Sequence, residues 1–227
     1  MSKIVSFGDS FIFGSEIPEN YDGSAGWPGI SAKYLDIDFE CCATPGTSND
    51  AIAREIFSYY QKNSTNHLAV VNWTWIMRWD YFLKKEYIWE TLGVGKFTLQ
   101  NAVEQQDYKN LTDFYHDLII DNQMFNKWNN LKTIFSVIKF LTDNNIPFVQ
   151  TYMDHELIEK EWFNESYTDY MITICKQNLN TFGNKNFLDW SHEKGFKITD
   201  PGWHPLEDAH EAAAKYWLPT YKKLLNV

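Results

Sequence analysis

No run of apolar residues in this 227-residue chain reaches the roughly 20 needed to cross a bilayer, so nothing in the sequence calls for a membrane partner. The N-terminus enters an apolar strand pattern directly, without the basic, apolar and small-residue succession of a signal peptide, and a cytoplasmic setting is expected. Were the protein viral, that would mean the virion or the host cytoplasm. Basic residues are also scarce. Twenty Lys and Arg against thirty Asp and Glu give a formal charge of -10, which argues against a nucleic-acid partner, since such proteins present a basic face. The three cysteines, Cys41, Cys42 and Cys175, cannot all pair and show no metal-ligand spacing. They read as reduced, buried thiols. Internal repeats, low-complexity tracts and linkers are absent too.

What is present is core-forming material. Hydrophobic residues make up 44% and aromatics 17% of the chain, enough to fill one large core and to argue against disorder. A single domain over 1–227 is expected. Strand patterns at 3–7, 38–42, 67–72, 146–152 and 186–189 alternate with helical patterns at 27–35, 48–62, 127–141, 163–182 and 206–225. Ser48 or Asn49 could cap the helix at 48–62. The continuous apolar run at 67–72 suits a strand covered on both faces. Strands separated by helices imply right-handed crossovers, hence an α/β fold with a central parallel sheet of about five strands between two helical layers.

One stretch breaks the rhythm. From about 75 to 125, directly after the third strand, the chain carries several tryptophans and tyrosines and a Gly93-Val94-Gly95 break. It reads as an insertion packing on its own aromatic core, or as a wall over the site, since aromatic faces suit sugar rings and acyl chains.

The chemistry-bearing residues stand at the two ends. Gly8-Asp9-Ser10 follows the first strand at its carboxyl end, where open α/β sheets hold their ligands. Asp200 and His204 lie just before the closing helix. A serine hydroxyl is a weak nucleophile, which His204 would activate by taking its proton while Asp200 held the imidazole's tautomer. Asp189 is a second candidate for the acid. Gly46, lacking a Cβ, would let backbone N–H groups approach a developing oxyanion. Asp9 reads as ordering the nucleophile turn, and Arg78 as a surface-paired arginine. His67, His116, His155 and His192 show no partner pattern. No ligand spacing links Asp9, Asp200 and His204 into a metal site, and no cofactor is expected.

Phe7-Gly8-Asp9-Ser10, Ala43-Thr44-Pro45-Gly46-Thr47-Ser48-Asn49 and His204-Pro205, in this order, resemble the blocks of the SGNH (GDSL-type) hydrolases, a family of esterases, lipases and carbohydrate deacetylases. The resemblance covers residues 3 to about 218, through order and spacing more than identity, and marks a divergent member. It implies a three-layer α/β/α sandwich of the flavodoxin-like SGNH hydrolase type, with Ser10 as nucleophile, Asp200 and His204 completing the triad, and an oxyanion hole from Ser10 and Gly46. Two blocks depart from the pattern. Where the family shows Gly-x-Asn-Asp after the third strand, this chain has Asn72-Trp73-Thr74-Trp75, so Thr74 or Asn72 would supply the side-chain donor. The family's acid stands three residues before the histidine, whereas Asp200 stands four before His204.

The expected function is hydrolysis of a carboxylic ester, a short-chain acyl or acetyl group on a carbohydrate or small alcohol, through an acyl-enzyme on Ser10. The alternative is a non-catalytic binding or structural protein, viral settings included, that keeps the fold with a weakened site. The expected partner is a small-molecule ester or acylated carbohydrate; the sequence leaves the oligomeric state open.

Overall fold

Four parallel strands form the centre: β1 (Lys3–Gly8), β2 (Asp38–Cys41), β3 (Leu68–Trp73) and β6 (Phe148–Tyr152), in the order β2-β1-β3-β6. The computed structural model describes residues 3–83, 88–92, 123–158, 166–200 and 203–227. Every residue of β3 is buried, as its continuous apolar run requires. Successive side chains point to opposite faces, so β1, β3 and β6 each feed two cores. Val5, Phe7, Ala69 and Val71 face α3 (Asn49–Lys62), α4 (Gln123–Asp143) and α5 (Ser166–Asn178). Ile4, Leu68, Val70 and Val149 face α2 (Trp27–Leu35), α6 (Phe187–Lys194) and α7 (Glu207–Leu225). The three-layer sandwich expected from the sequence is thus present.

The fifth strand is not where the sequence suggested. Residues 186–189 open a helix: the Asn186 side chain accepts the Asp189 N–H at 2.8 Å as an N-cap, and Phe187, Leu188, Trp190 and Ser191 bury one face. A short apolar run cannot by itself distinguish a buried strand from the first turn of a buried helix, and the cap decides it. The sheet edge beyond β6 is occupied instead by a single parallel bridge between Gln150 and Leu179, with Asn180 N–H donating to the Gln150 carbonyl at 2.7 Å.

Of the aromatic insertion, residues 84–87 and 93–122 lie outside the described residues, as does His116. The part described contains an antiparallel hairpin, β4 (Trp79–Leu83) with β5 (Ile88–Leu92). It is tied to α3 by Arg54, which meets the buried Asp80 at 2.5 Å and lies 4.4 Å over the Trp89 ring. Trp73 packs in the core, its indole N–H donating to Gln150 at 2.6 Å. Trp73 is thus a packed residue, whereas Trp89 is 53% exposed.

Register positions the site. Gly8 lies opposite Asn72, so the turn leaving β1 and the turn leaving β3 emerge side by side at the carboxyl edge. No described helix is long and apolar enough to cross a membrane.

Candidate active site

Ser10 is the first residue of α1 (Ser10–Phe13), a single helical turn capped by Asp9, whose carboxylate accepts the Phe11 N–H at 3.1 Å. Gly8 makes this turn feasible. Its φ is +150°, and a Cβ there would stand 2.7 Å from the Asn72 carbonyl oxygen. The chain can therefore pass from β1 into the turn at Ser10 only with glycine at this point.

From the other end of the sequence, His204 arrives on a narrow loop. Ile198 and Pro205 form an antiparallel bridge, Thr199 N–H donates to the His204 carbonyl at 3.0 Å, and His204 N–H donates to the Thr199 hydroxyl at 3.1 Å. The Phe11 ring packs against the imidazole at 4.9 Å between centroids. The result places His204 Nε2 2.8 Å from Ser10 Oγ. With the imidazole proton on Nδ1, the hydroxyl donates to Nε2, the arrangement a general base needs.

The expected acid is displaced. Asp200 follows Thr199 at the tip of the loop, where it is exposed and makes no hydrogen bond or ion pair among the described residues. Because Thr199 itself pairs with His204 across the loop, the next residue is carried outward. Asp189 lies on α6, where it pairs with His155 Nε2 at 2.8 Å. The carboxylate that does face His204 belongs to Glu16, whose Oε2 is 3.4 Å from Nδ1. Sequence reasoning overlooked Glu16, which follows Ser10 by only six residues; no family block contains it.

The side-chain donors expected for the oxyanion are committed elsewhere. Thr74 Oγ1 donates to Asp9 Oδ2 at 2.6 Å, and Asn72 Nδ2 faces Asp9 Oδ1 at 3.4 Å while Asn72 Oδ1 accepts from the Thr151 hydroxyl at 2.8 Å. Both residues are wholly buried. They support the turn at Ser10 from beneath. Arg78 joins them: its guanidinium meets Asp9 Oδ2 at 3.1 Å and the Thr47 carbonyl at 3.1 Å, with the side chain 17% exposed. It is no surface arginine. It bridges the turn at Ser10 to the loop at Gly46, around an aspartate that is fully buried.

Gly46 has φ +80° and sits in a loop whose Thr44 N–H donates to the Gly8 carbonyl at 2.9 Å, which holds it alongside the turn at Ser10. Ser48, not Asn49, caps α3, accepting the Ala51 N–H at 3.1 Å. Asn49 instead clamps the backbone after β3, accepting the Thr74 N–H at 2.8 Å and donating to the Thr74 carbonyl at 3.1 Å. Nothing in the local sequence distinguishes these two roles.

Behind the histidine loop stands His210, 1% exposed, whose Nδ1 accepts the Trp27 N–H at 3.2 Å. Burial pushes its pKa down to about 3, opposed in part by a hydrogen bond to the Pro205 carbonyl. It is thus a neutral imidazole joining the start of α2 to the residue after His204. Burial likewise raises the thiols of Cys42 and Cys175 to about 12, keeping them protonated and poorly reactive. No group of three or more His, Cys, Asp or Glu among the described residues could hold a metal ion.

Comparison with known proteins gives similarity in structure alone. No family profile matches the chain, and no curated protein resembles it in sequence. Among solved structures, a lipolytic protein of the G-D-S-L family from Veillonella parvula aligns over 98% of this chain and 100% of its own, at 13% identity and a TM-score of 0.50. The psychrotrophic esterase EstA from Pseudoalteromonas sp. aligns over 99% of both chains, at 12% identity and a TM-score of 0.53. A carbohydrate esterase aligns over 98% of this chain and 65% of its own, at 12% identity and a TM-score of 0.51. The chain accordingly has the fold of the G-D-S-L lipolytic proteins, as the resemblance of its sequence blocks implied.

Proposed function

We propose that the chain is a divergent SGNH-type serine esterase that cleaves a short-chain acyl or acetyl ester of a carbohydrate or small alcohol. The observation that carries this reading is the 2.8 Å contact between Ser10 Oγ and His204 Nε2, made by residues 194 positions apart. Ser10 Oγ attacks the acyl carbonyl carbon as its proton passes to His204 Nε2. The resulting oxyanion is met by the backbone N–H groups of Ser10 and Gly46. Collapse expels the alcohol, which takes the proton back from His204 and leaves the acyl group on Ser10. A water then attacks, gives its proton to His204, and releases the acid as Ser10 recovers its proton. Trp203, next to His204 and 64% exposed, offers an aromatic face suited to a sugar ring, which favours the carbohydrate side of the reading.

One observation favours a binding protein instead: Thr74 and Asn72 direct their donors to Asp9, which leaves the oxyanion without a side-chain donor from either of them. Losing one such donor costs about 3–4 kcal/mol of transition-state stabilisation. The similar carbohydrate esterase carries a site with divergent catalytic and non-catalytic binding functions, so both outcomes suit the fold. Incubation with p-nitrophenyl acetate, butyrate and octanoate, beside a Ser10→Ala control, decides between them. Turnover of acetate and butyrate above octanoate, abolished by Ser10→Ala, is expected. A folded protein that turns over none of these esters would overturn the proposal.

A further inference from the structure

Resting on the hydrolase reading, we infer that Glu16, and not Asp200, is the carboxylate that positions His204. Three observations converge. Glu16 Oε2 lies 3.4 Å from His204 Nδ1, on the side of the ring opposite Ser10. That Nδ1 is buried and has no hydrogen-bond partner among the described residues, so Glu16 is the acceptor within reach once the ring or the carboxylate moves by a few tenths of an ångström. The same Oε2 accepts the hydroxyl of Thr199, the residue that also holds the His204 N–H, so the carboxylate and the imidazole are tied to one side chain.

The loop bearing Glu16 is tied down by side-chain hydrogen bonds. Glu16 adopts φ +68°, a left-handed conformation that non-glycine residues seldom take. Such strain persists where the surroundings hold it. Here Asn20 holds it, donating to the carbonyls of Phe13 at 2.7 Å and Gly14 at 2.9 Å while accepting the Ala25 N–H at 3.1 Å. The consequence is that nucleophile and acid come from one turn, with only the base imported from the far end of the chain. The extra residue between Asp200 and His204 then ceases to matter, because the position usually served from that loop is served from the other side.

The test compares Glu16→Gln, Glu16→Asp and Asp200→Asn in the full chain, with kcat and KM for p-nitrophenyl acetate measured from pH 5 to 9. The groups facing the imidazole are Glu16 from the loop after α1, Ser10 from α1 and the neutral His210 from α7, with Asp200 on its own loop. Glu16→Gln should lower kcat by about 100-fold or more, leave KM nearly unchanged, and shift the acid limb of the profile to lower pH. Glu16→Asp should recover part of the loss, and Asp200→Asn should stay within about twofold of the wild type. Proton NMR of the imidazole supplies a readout independent of turnover: the downfield Nδ1–H signal of the wild type should vanish in Glu16→Gln and persist in Asp200→Asn. An active wild type in which Asp200→Asn loses both rate and signal while Glu16→Gln keeps them would overturn the inference and leave the hydrolase reading standing. A wild type without turnover would remove the hydrolase reading, and the Nδ1–H signal would still show which carboxylate holds the ring.

Discussion

Replacing Asp9 by alanine should destabilise the protein more than replacing Ser10 next to it. The carboxylate is fully buried and serves four donors: the Phe11 N–H at 3.1 Å, the Thr74 hydroxyl at 2.6 Å, Arg78 at 3.1 Å and, more weakly, Asn72 at 3.4 Å. In Asp9→Ala the Arg78 guanidinium, with a side chain only 17% exposed, keeps the Thr47 carbonyl and loses its counter-charge. Breaking a buried pair by deleting one partner costs about 3–5 kcal/mol. Orphaning the Thr74 hydroxyl and the cap of α1 adds about 1–3 kcal/mol more, less than additively because the groups share one site. A loss of about 4 kcal/mol or more is therefore expected, which for a chain of this size lowers Tm by about 8–16 °C. Urea unfolding followed by tryptophan fluorescence measures it, with an unchanged m value as the check that the unfolded state is the same. Adding Arg78→Met to Asp9→Ala should recover part of the loss, since the orphaned charge is gone. A loss below about 1 kcal/mol for Asp9→Ala, or strict additivity in the double variant, would refute the account of the pair.

Two further expectations follow from the same region. The buried His210 has a pKa of about 3 when folded against an ordinary 6.5, so the unfolded chain binds the extra proton and the folded one does not. Its contribution is complete above about pH 6.5 and is lost as pH falls toward about 3, at up to about 1.4 kcal/mol per pH unit; urea unfolding at pH 7, 5 and 4 should show this slope, and His210→Gln should flatten it. Gly8→Ala should cost about 3 kcal/mol or more, since its Cβ would meet the Asn72 carbonyl at 2.7 Å in a backbone conformation that disfavours side chains; a thermal melt within 2–3 °C of wild type would show that the turn can relax.

Periodicity and turn chemistry were enough to read most of the fold. The apolar run of β3, the helical spacing of α3 and α4 and the Gly-Asp-Ser turn after β1 are local patterns, and local patterns survive in a one-dimensional string. Ser10 and His204, whose side chains meet at 2.8 Å, were likewise marked locally, by a serine on the turn after a strand and a histidine before the closing helix. The fifth strand failed for the converse reason: at 186–189 a cap of one asparagine outweighed an apolar run that suited either state.

What the tertiary structure alone decided is which partner each polar group takes. Asp200 stands nearer to His204 in sequence than Glu16 does, yet the loop pairs Thr199 with His204 and turns Asp200 to solvent. Arg78, Thr74 and Asn72 are separated from Asp9 by 63 to 69 residues and meet it only because β1 and β3 are adjacent and parallel in the sheet. Hydrogen bonds and ion pairs act over a few ångströms, so their partners are set by the register of neighbouring strands and the path of loops, quantities that no local pattern in the sequence encodes.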